Sequence, residues 1–319
     1  MDFDVIEYDG STITRPGIYV NLPIQVYHGK VDLCDGPSIS NTGLRKIEKC
    51  PEKFWDSSPL NPDSEPEPES NDFRFGRMAH VLCVEKRWPS DIAVSPYDDF
   101  RTNEAKAWKA AQEEDGLTVF KEKEVADIRG MAKRLEQEPL MELALAGGLI
   151  EASLIWKDEA TGIWIRSRPD MIPNDNILAD YKTAASADPA DVEYAIKKYG
   201  YHCQLALMAE GMAKVCGRVM ENFSLVLQEK KRPYPVTVAP VYDETVYYGA
   251  RRNRDALDRL ARCLEANDWP SYSEGPVSVG LPANELKKLR EQEKHLPPMP
   301  TLEDMAKAAH PQLMETEHA

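Results

Sequence analysis

Residues 151–183 read EASLIWKDEATGIWIRSRPDMIPNDNILADYKT, and this stretch decides the fold. Two runs of strand character each end in charged residues, Arg168-Pro169-Asp170 and then Asp180-Tyr181-Lys182. From Ile163 to Asp170 the chain alternates. Ile163, Ile165 and Ser167 fall on one face, and Trp164, Arg166, Arg168 and Asp170 on the other. From Asn176 to Lys182, the residues Leu178, Asp180 and Lys182 share a face. Pro173 to Asn176 is turn chemistry, which predicts an antiparallel hairpin between the two runs. Folded so, Asp170 and Asp180 converge at one end of the sheet with Lys182 beside them. Glu151 opens an earlier run to Trp156, and Asp158 to Gly162 is its turn, giving a three-stranded meander with acids at strand positions.

Two carboxylates a few ångströms apart repel unless protonated or bridged by a cation. Hard divalent ions such as Mg²⁺ take oxygen ligands in this arrangement. A lysine beside them can orient an attacking water and offset negative charge developing on a phosphate. The competing reading is a surface hairpin with solvated charges, because Asp-x-Lys is a short pattern and common by chance.

Composition narrows the class. The chain has 319 residues, 42% of them hydrophobic, enough for one large domain. No run approaches the roughly 20 apolar residues of a membrane span. The acidic start MDFDVIEYDG lacks a basic-then-apolar signal pattern. Six cysteines, at 34, 50, 83, 203, 216 and 263, form no C-x-x-C pair. That argues against zinc-ribbon or iron–sulfur ligation and for reduced thiols in a cytoplasmic protein. The formal net charge of −15 argues against DNA binding until its distribution is read. Residues 61–72 and 297–319 together carry −8 of it. Basic groups cluster at Arg166/Arg168, Lys197-Lys198, Lys230-Lys231-Arg232 and Arg251-Arg252-Arg254. Each reads equally as a solvated face, although an acidic exterior around a basic channel would discourage binding elsewhere.

Along the chain, residues 1–37 form an N-terminal extension with short strand and turn signals. A helix capped by Ser40 or Asn41 runs to Cys50-Pro51. Residues 56–72 read as a mobile acidic loop. Phe73 to Glu85 reads as a helix, and Asn103 to Ala146 as charged helix broken near Gly116 and Pro139. Pro189 to Cys216 reads as one long amphipathic helix. Glu221–Gln228 and Tyr234–Pro240 read as strands, and Asp243–Asn267 as a helix. A tail, 271–319, holds a charged helix over 284–295 and is poorly ordered from about residue 296. The order predicts an α/β fold, a mixed central sheet flanked by helices, over residues 38–270.

Arg168-Pro169-Asp170 followed after ten positions by Asp180-Tyr181-Lys182 resembles the PD-(D/E)XK nuclease superfamily, and within it the RecE-type and lambda-exonuclease-like phage recombination exonucleases (YqaJ-like). Four further pieces carry the resemblance. ISNTGLRKIEKCPEKFW (39–55) is similar to the opening helix of RecE and RecB-type nuclease domains. FRFGRMAHVLCVE (73–85) resembles the family's Gly-x-x-x-His helix, and SLIWKDEATGIWIRSRPD its central hairpin. YGYHCQLALMAEG (199–211) resembles the helix after the active-site lysine. Met208 stands where many relatives have a tyrosine four positions after the glutamine, and Tyr201 is close enough to substitute.

The resemblance implies Mg²⁺, with Mn²⁺ as a substitute, held by Asp170, Asp180, the Tyr181 carbonyl, His80 and Glu151. It implies Lys182 as the water-positioning group and Gln204 facing the scissile region. Arg74 or Arg77 would hold a terminal phosphate, since arginine matches phosphate oxygens bidentately. Arg166, Arg168, Lys197, Lys198 and Tyr201 complete the DNA-binding set. The implied activity is 5′→3′ exonuclease digestion of linear double-stranded DNA, leaving 3′ single strands for an annealing partner. A ring-shaped homo-oligomer, trimer or tetramer, and a phage or prophage origin are also implied. Competing readings are a RecB-like repair nuclease or endonuclease on the same fold, and a non-catalytic DNA-binding scaffold. A small-molecule phosphohydrolase is disfavoured because no phosphate-cradling Gly-rich loop is present.

Overall fold

The structure, a computed structural model, describes residues 5–64, 70–138, 148–150, 152–273 and 275–309. In chain order its first compact unit, which ends at Tyr272, contains β1 (Val5–Glu7), β2 (Gly17–Val20), α1 (Ile24–Gly29), β3 (Ser38–Ser40), α2 (Asn41–Lys49), α3 (Pro51–Asp56), α4 (Asn71–Cys83), β4 (Ile92–Ser95), α5 (Asn103–Glu114), β5 (Thr118–Lys121) and α6 (Glu122–Leu135). It continues with β6 (Leu149–Ile150), β7 (Ser153–Lys157), β8 (Trp164–Ser167), β9 (Met171–Ile172), β10 (Ile177–Ala184), α7 (Pro189–Tyr199), α8 (Tyr201–Cys216), β11 (Asn222–Glu229), β12 (Val236–Val241) and α9 (Asp243–Ala266). The second unit begins at Ser273 and holds α10 (Ala283–Glu293) and α11 (Leu302–Ala309).

The fold is mixed α/β, as the element order predicts. A five-stranded sheet runs β1-β2-β7-β8-β3, and a three-stranded sheet runs β10-β11-β12. Both mix parallel and antiparallel pairs. The N-terminal residues belong to the first sheet through β2, which pairs with β7. The β7–β8 hairpin forms where the Asp158–Gly162 turn places it. Asp158 Oδ2 accepts from the Thr161 backbone N at 2.9 Å and hydroxyl at 2.7 Å, and Gly162 supplies a left-handed φ of 71°.

The second expected hairpin does not form. β8 is occupied on both sides, antiparallel to β7 and parallel to β3. β10 instead pairs parallel with β11, from Ile177↔Asn222 to Ala184↔Glu229. Burial explains the choice. β10 separates two cores: Leu178 belongs to the larger one and Tyr181 to the smaller one, built on α4 and α6. A strand covered on both faces suits the parallel β-α-β connection that α7 and α8 provide.

The single long helix expected over 189–216 is also divided. Gly200, at φ 70°, closes α7 and starts α8 in a new direction. Helix α8 then runs through the larger core, burying Leu205, Ala206, Leu207, Met208 and Met212. It packs closely on both sides. A Cβ on Gly211 would lie 2.8 Å from the Trp156 ring, and one on Gly249 of α9 would lie 2.3 Å from the His202 carbonyl oxygen. The break expected near Gly116 is present, but a strand follows it: β5 pairs parallel with β4 before α6 begins. Of the acidic loop, residues 65–69 lie outside the described residues. In the second unit, α10 matches the expected charged helix, and α11 occupies residues expected to lack order.

Candidate active site

Helix α4 delivers His80. The Ser70 hydroxyl caps it by accepting from the Phe73 N at 3.2 Å, and Met78, Ala79 and Cys83 sink into the smaller core. Its Gly76 lies against Thr183 of β10. This docking sets His80 Nε2 2.9 Å from Asp170 Oδ1. The other Asp170 oxygen accepts the Tyr181 N–H at 2.6 Å, so Asp170 takes up a backbone donor on the edge of β10 away from β11.

Asp180 has no exposed surface. Its Oδ1 accepts from Gln204 Nε2 of α8 at 3.1 Å, and its Oδ2 lies 2.6 Å from Lys182 Nζ. Asp170, Asp180, Lys182, His80 and Gln204 therefore converge, although the hairpin invoked to join the two aspartates is absent.

Burial lifts the Asp180 carboxyl to about 6, with Lys182 opposing and Asp170 adding to the lift. Burial also lifts Asp170, but the charge and hydrogen bond of His80 overcome it and hold that carboxyl at about 2. Burial depresses His80, yet Asp170 and then Glu85 raise it to about 10. Lys182, depressed by burial, is raised above its ordinary value by Asp180 and Asp170. The two bases are thus held charged by the carboxylates around them.

Two atoms test whether a cation suits it. Asp180 Oδ2 and His80 Nε2 are buried, and each is met only by an ion-pair partner, Lys182 Nζ at 2.6 Å and Asp170 Oδ1 at 2.9 Å. Carboxylate oxygens fit a divalent cation directly, and His80, held protonated by Asp170 and Glu85, fits one on giving up its Nε2 proton. Among the described residues no three His, Cys, Asp or Glu side chains are already gathered around one point. Glu151 lies outside the described residues. Tyr181 enters the site through its backbone. Its ring is in the smaller core, where the hydroxyl donates to Gln228 Oε1 at 2.7 Å.

Glu85 was not anticipated as a site residue. Helix α4 ends at Cys83, and the backbone N of both Val84 and Glu85 returns to the His80 carbonyl. The turn brings Glu85 Oε1 to 3.3 Å from His80 Nδ1, and the Glu85 side chain is 3% exposed. A carboxylate on the far nitrogen fixes the tautomer and ring orientation of a ligating histidine. Glu85 is part of the 73–85 motif, but no helical spacing connects it with His80.

The basic residues divide differently from expectation. Arg74 bonds the Val119 carbonyl and Glu124, and Arg77 bonds Asp91 and Thr118 at 2.9 Å each. These pairs fasten α4 to β5, α6 and the start of β4. Arg168 donates to Ser153 Oγ at 2.8 Å and the Leu22 carbonyl at 2.6 Å, and lies over the Tyr27 ring. Arg166 is buried, donates to the Tyr27 carbonyl, and keeps a buried Nε without a hydrogen bond. It lines a cavity of about 140 Å³ with Lys46, Lys30, Ser38, Ser40 and Ser58, and no acid is among the described lining residues. Lys197 and Lys198 are exposed on α7, and Tyr201 lies 5.6 Å from Lys182 Nζ.

The family described as a PDDEXK-like domain of unknown function (DUF3799) matches residues 40–277. Among solved structures, a Eubacterium rectale protein described provisionally as an exonuclease superposes with a TM-score of 0.54 at 13% identity, over 78% of this chain and 92% of that one. A phage-related exonuclease from Haemophilus somnus 129PT covers 72% of this chain and 96% of its own, with TM-score 0.31 and 11% identity. The alkaline exonuclease of Laribacter hongkongensis covers 60% and 91%, with TM-score 0.22 and 14% identity. Among curated proteins no relative matches.

Proposed function

From the premise that the chain belongs to the PDDEXK-like family, we propose that it is a nuclease hydrolysing DNA phosphodiesters with a divalent cation, Mg²⁺ or Mn²⁺. The observation that carries this reading is the buried convergence of Asp170 and Asp180 with Lys182 and His80, in which Asp180 Oδ2 and His80 Nε2 have ion-pair partners alone. Asp170, Asp180 and His80 would hold the cation, with the Tyr181 carbonyl and Glu151 as further ligands. A cation there would supply Lewis-acid polarisation of the phosphodiester and a lowered pKa for the attacking water.

The chain's own groups do the rest. Lys182 orients the attacking water and offsets charge developing on the phosphate. Gln204 holds the second oxygen of Asp180, so the carboxylate presents its other oxygen to the site. Glu85 keeps His80 in register through Nδ1. The alkyl and aromatic walls of the two cores exclude bulk water and strengthen these interactions.

The finer reading is a 5′→3′ exonuclease that digests linear duplex DNA and leaves 3′ single strands for an annealing protein, working as a homo-oligomeric ring. Its support is the joint order of the five sequence motifs. Because Arg74 and Arg77 are already paired with Glu124 and Asp91, the reading puts the terminal phosphate in the cavity beside Arg166, on the strand that precedes Asp170.

The test is digestion of linear duplex labelled at the 5′ or 3′ end, with and without Mg²⁺, beside a closed circle. Mg²⁺-dependent release of 5′-terminal mononucleotides from linear DNA alone is expected. Cutting of the circle would make the protein an endonuclease, and no cutting of either substrate would overturn the nuclease reading.

A further inference from the structure

The segment Tyr194-Ala-Ile-Lys-Lys-Tyr-Gly-Tyr201 places three tyrosines and two lysines across the junction of α7 and α8. Tyr194 is 65% exposed and Tyr199 55%, and neither belongs to a buried core. The left-handed turn at Gly200 folds Tyr201 back under Tyr199. Their rings stack with centroids 5.5 Å apart and planes 28° apart. Lys198 Nζ lies 5.0 Å from the Tyr199 ring centre and 5.8 Å from that of Tyr194. At the inner end, Lys182 Nζ lies 5.6 Å from the Tyr201 ring. A continuous ladder of aromatic faces and ammonium groups thus leads from the active-site lysine to solvent.

Exposure alone is ordinary for a tyrosine; what sets these apart is that they are aligned with ammonium groups and end at the Lys182 site. Charge selects the sign of a ligand. The acids of α7, Asp191 and Glu193, lie in its first half beside Tyr194, whereas the last turn, nearest Tyr201, carries Lys197 and Lys198. Stacked aromatic faces beside cations match unpaired bases with their phosphates. In a duplex those base faces are covered, so the ladder suits a single strand. We infer that Tyr201, Tyr199 and Tyr194, with Lys197 and Lys198, form a stacking platform for the bases of one DNA strand entering or leaving the site at Lys182. The identity of the strand as DNA rests on the nuclease reading.

Fluorescence anisotropy in chelator, where no cutting occurs, tests this with a labelled single-stranded oligodeoxynucleotide and an abasic chain of equal phosphate number. The wild-type protein is expected to bind the normal strand at least about tenfold more tightly than the abasic one. Tyr194→Ala combined with Tyr199→Ala is expected to lose about 10–100-fold affinity for the normal strand and little for the abasic one, with an unchanged melting temperature. Tyr199→Phe, which keeps the ring, is expected to bind as the wild type does. Equal wild-type affinity for both strands would overturn the inference, as would normal binding by the double alanine variant, the result expected if the rings dock a protein. Failure of the nuclease reading is seen separately, as absence of Mg²⁺-dependent cleavage by a protein that still prefers strands with bases.

Discussion

Two ionic clusters in this chain use the same residue types to opposite ends. On α2 and α9, Glu48 meets Arg252 through two parallel bonds, Nε to Oε1 at 2.6 Å and a terminal nitrogen to Oε2 at 2.9 Å. Arg45 pairs with the same carboxylate and bonds Asn253 Oδ1 at 2.6 Å, and Asn253 donates to the Cys203 carbonyl at 2.8 Å. The single acid is answered by two guanidinium forks, and three helices are tied together. Around β10 the arrangement differs. Three acids, Asp170, Asp180 and Glu85, are drawn together among His80, Lys182 and Arg87, with Asp170 and Asp180 raising the same lysine, and Asp180 Oδ2 and His80 Nε2 have ion-pair partners alone. Geometry rather than composition separates a brace from a reaction centre. Like charges brought together under burial cost stability unless a further cation or a substrate joins them.

The largest expected effect lies in the acidic cluster. Lys182→Ala is expected to lower DNA cleavage by about 10²–10³-fold, read as nucleotide release from linear duplex, while circular dichroism still reports the folded chain. Cleavage within a few-fold of wild type would remove Lys182 from the mechanism. Glu85→Gln should act one step further out. Weakening the carboxylate behind a ligating histidine is expected to raise the Mg²⁺ needed for half-maximal cleavage by about 10–100-fold, leaving the rate at saturating Mg²⁺ near wild type. A lowered rate with an unchanged Mg²⁺ requirement would contradict that role. In the brace, Arg252→Ala is expected to cost about 1–2 kcal/mol of stability with unchanged cleavage per folded molecule. That is less than a fully buried pair would lose, because the Arg252 side chain is 40% exposed. Thermal unfolding and cleavage measured on one sample separate the two effects.

The sequence revealed which residues converge more completely than how the chain connects them. Asp170, Asp180, Lys182, His80 and Gln204 were all legible, since a charged cluster in strand context and the order of family motifs are local signals. The hairpin joining them was not, because the alternation of β10 is compatible with several partners, and only burial of both faces selects β11. Gly200 sits within helical periodicity, which tolerates a lone glycine, so the pattern did not require the α7–α8 break that stacks Tyr199 on Tyr201. Thr118 to Lys121 is too short a run to separate strand from helix by period. Arginine is the hardest residue to assign from sequence. Arg74 and Arg77 flank the His80 motif, yet their partners, Glu124 and Asp91, are tertiary contacts that no spacing announces.

The difference between the two clusters is tested most directly by thermal unfolding under Mg²⁺ titration of the wild type, Asp180→Asn and Glu48→Gln. A cation held by the folded state alone raises its stability by about 2.7 kcal/mol at a hundredfold excess over the dissociation constant. The wild type and Glu48→Gln are predicted to gain melting temperature with Mg²⁺ in parallel, from different starting values, and Asp180→Asn to gain none. An equal Mg²⁺ response from Asp180→Asn, or none from the wild type, would contradict the assignment of the β10 cluster as the cation site.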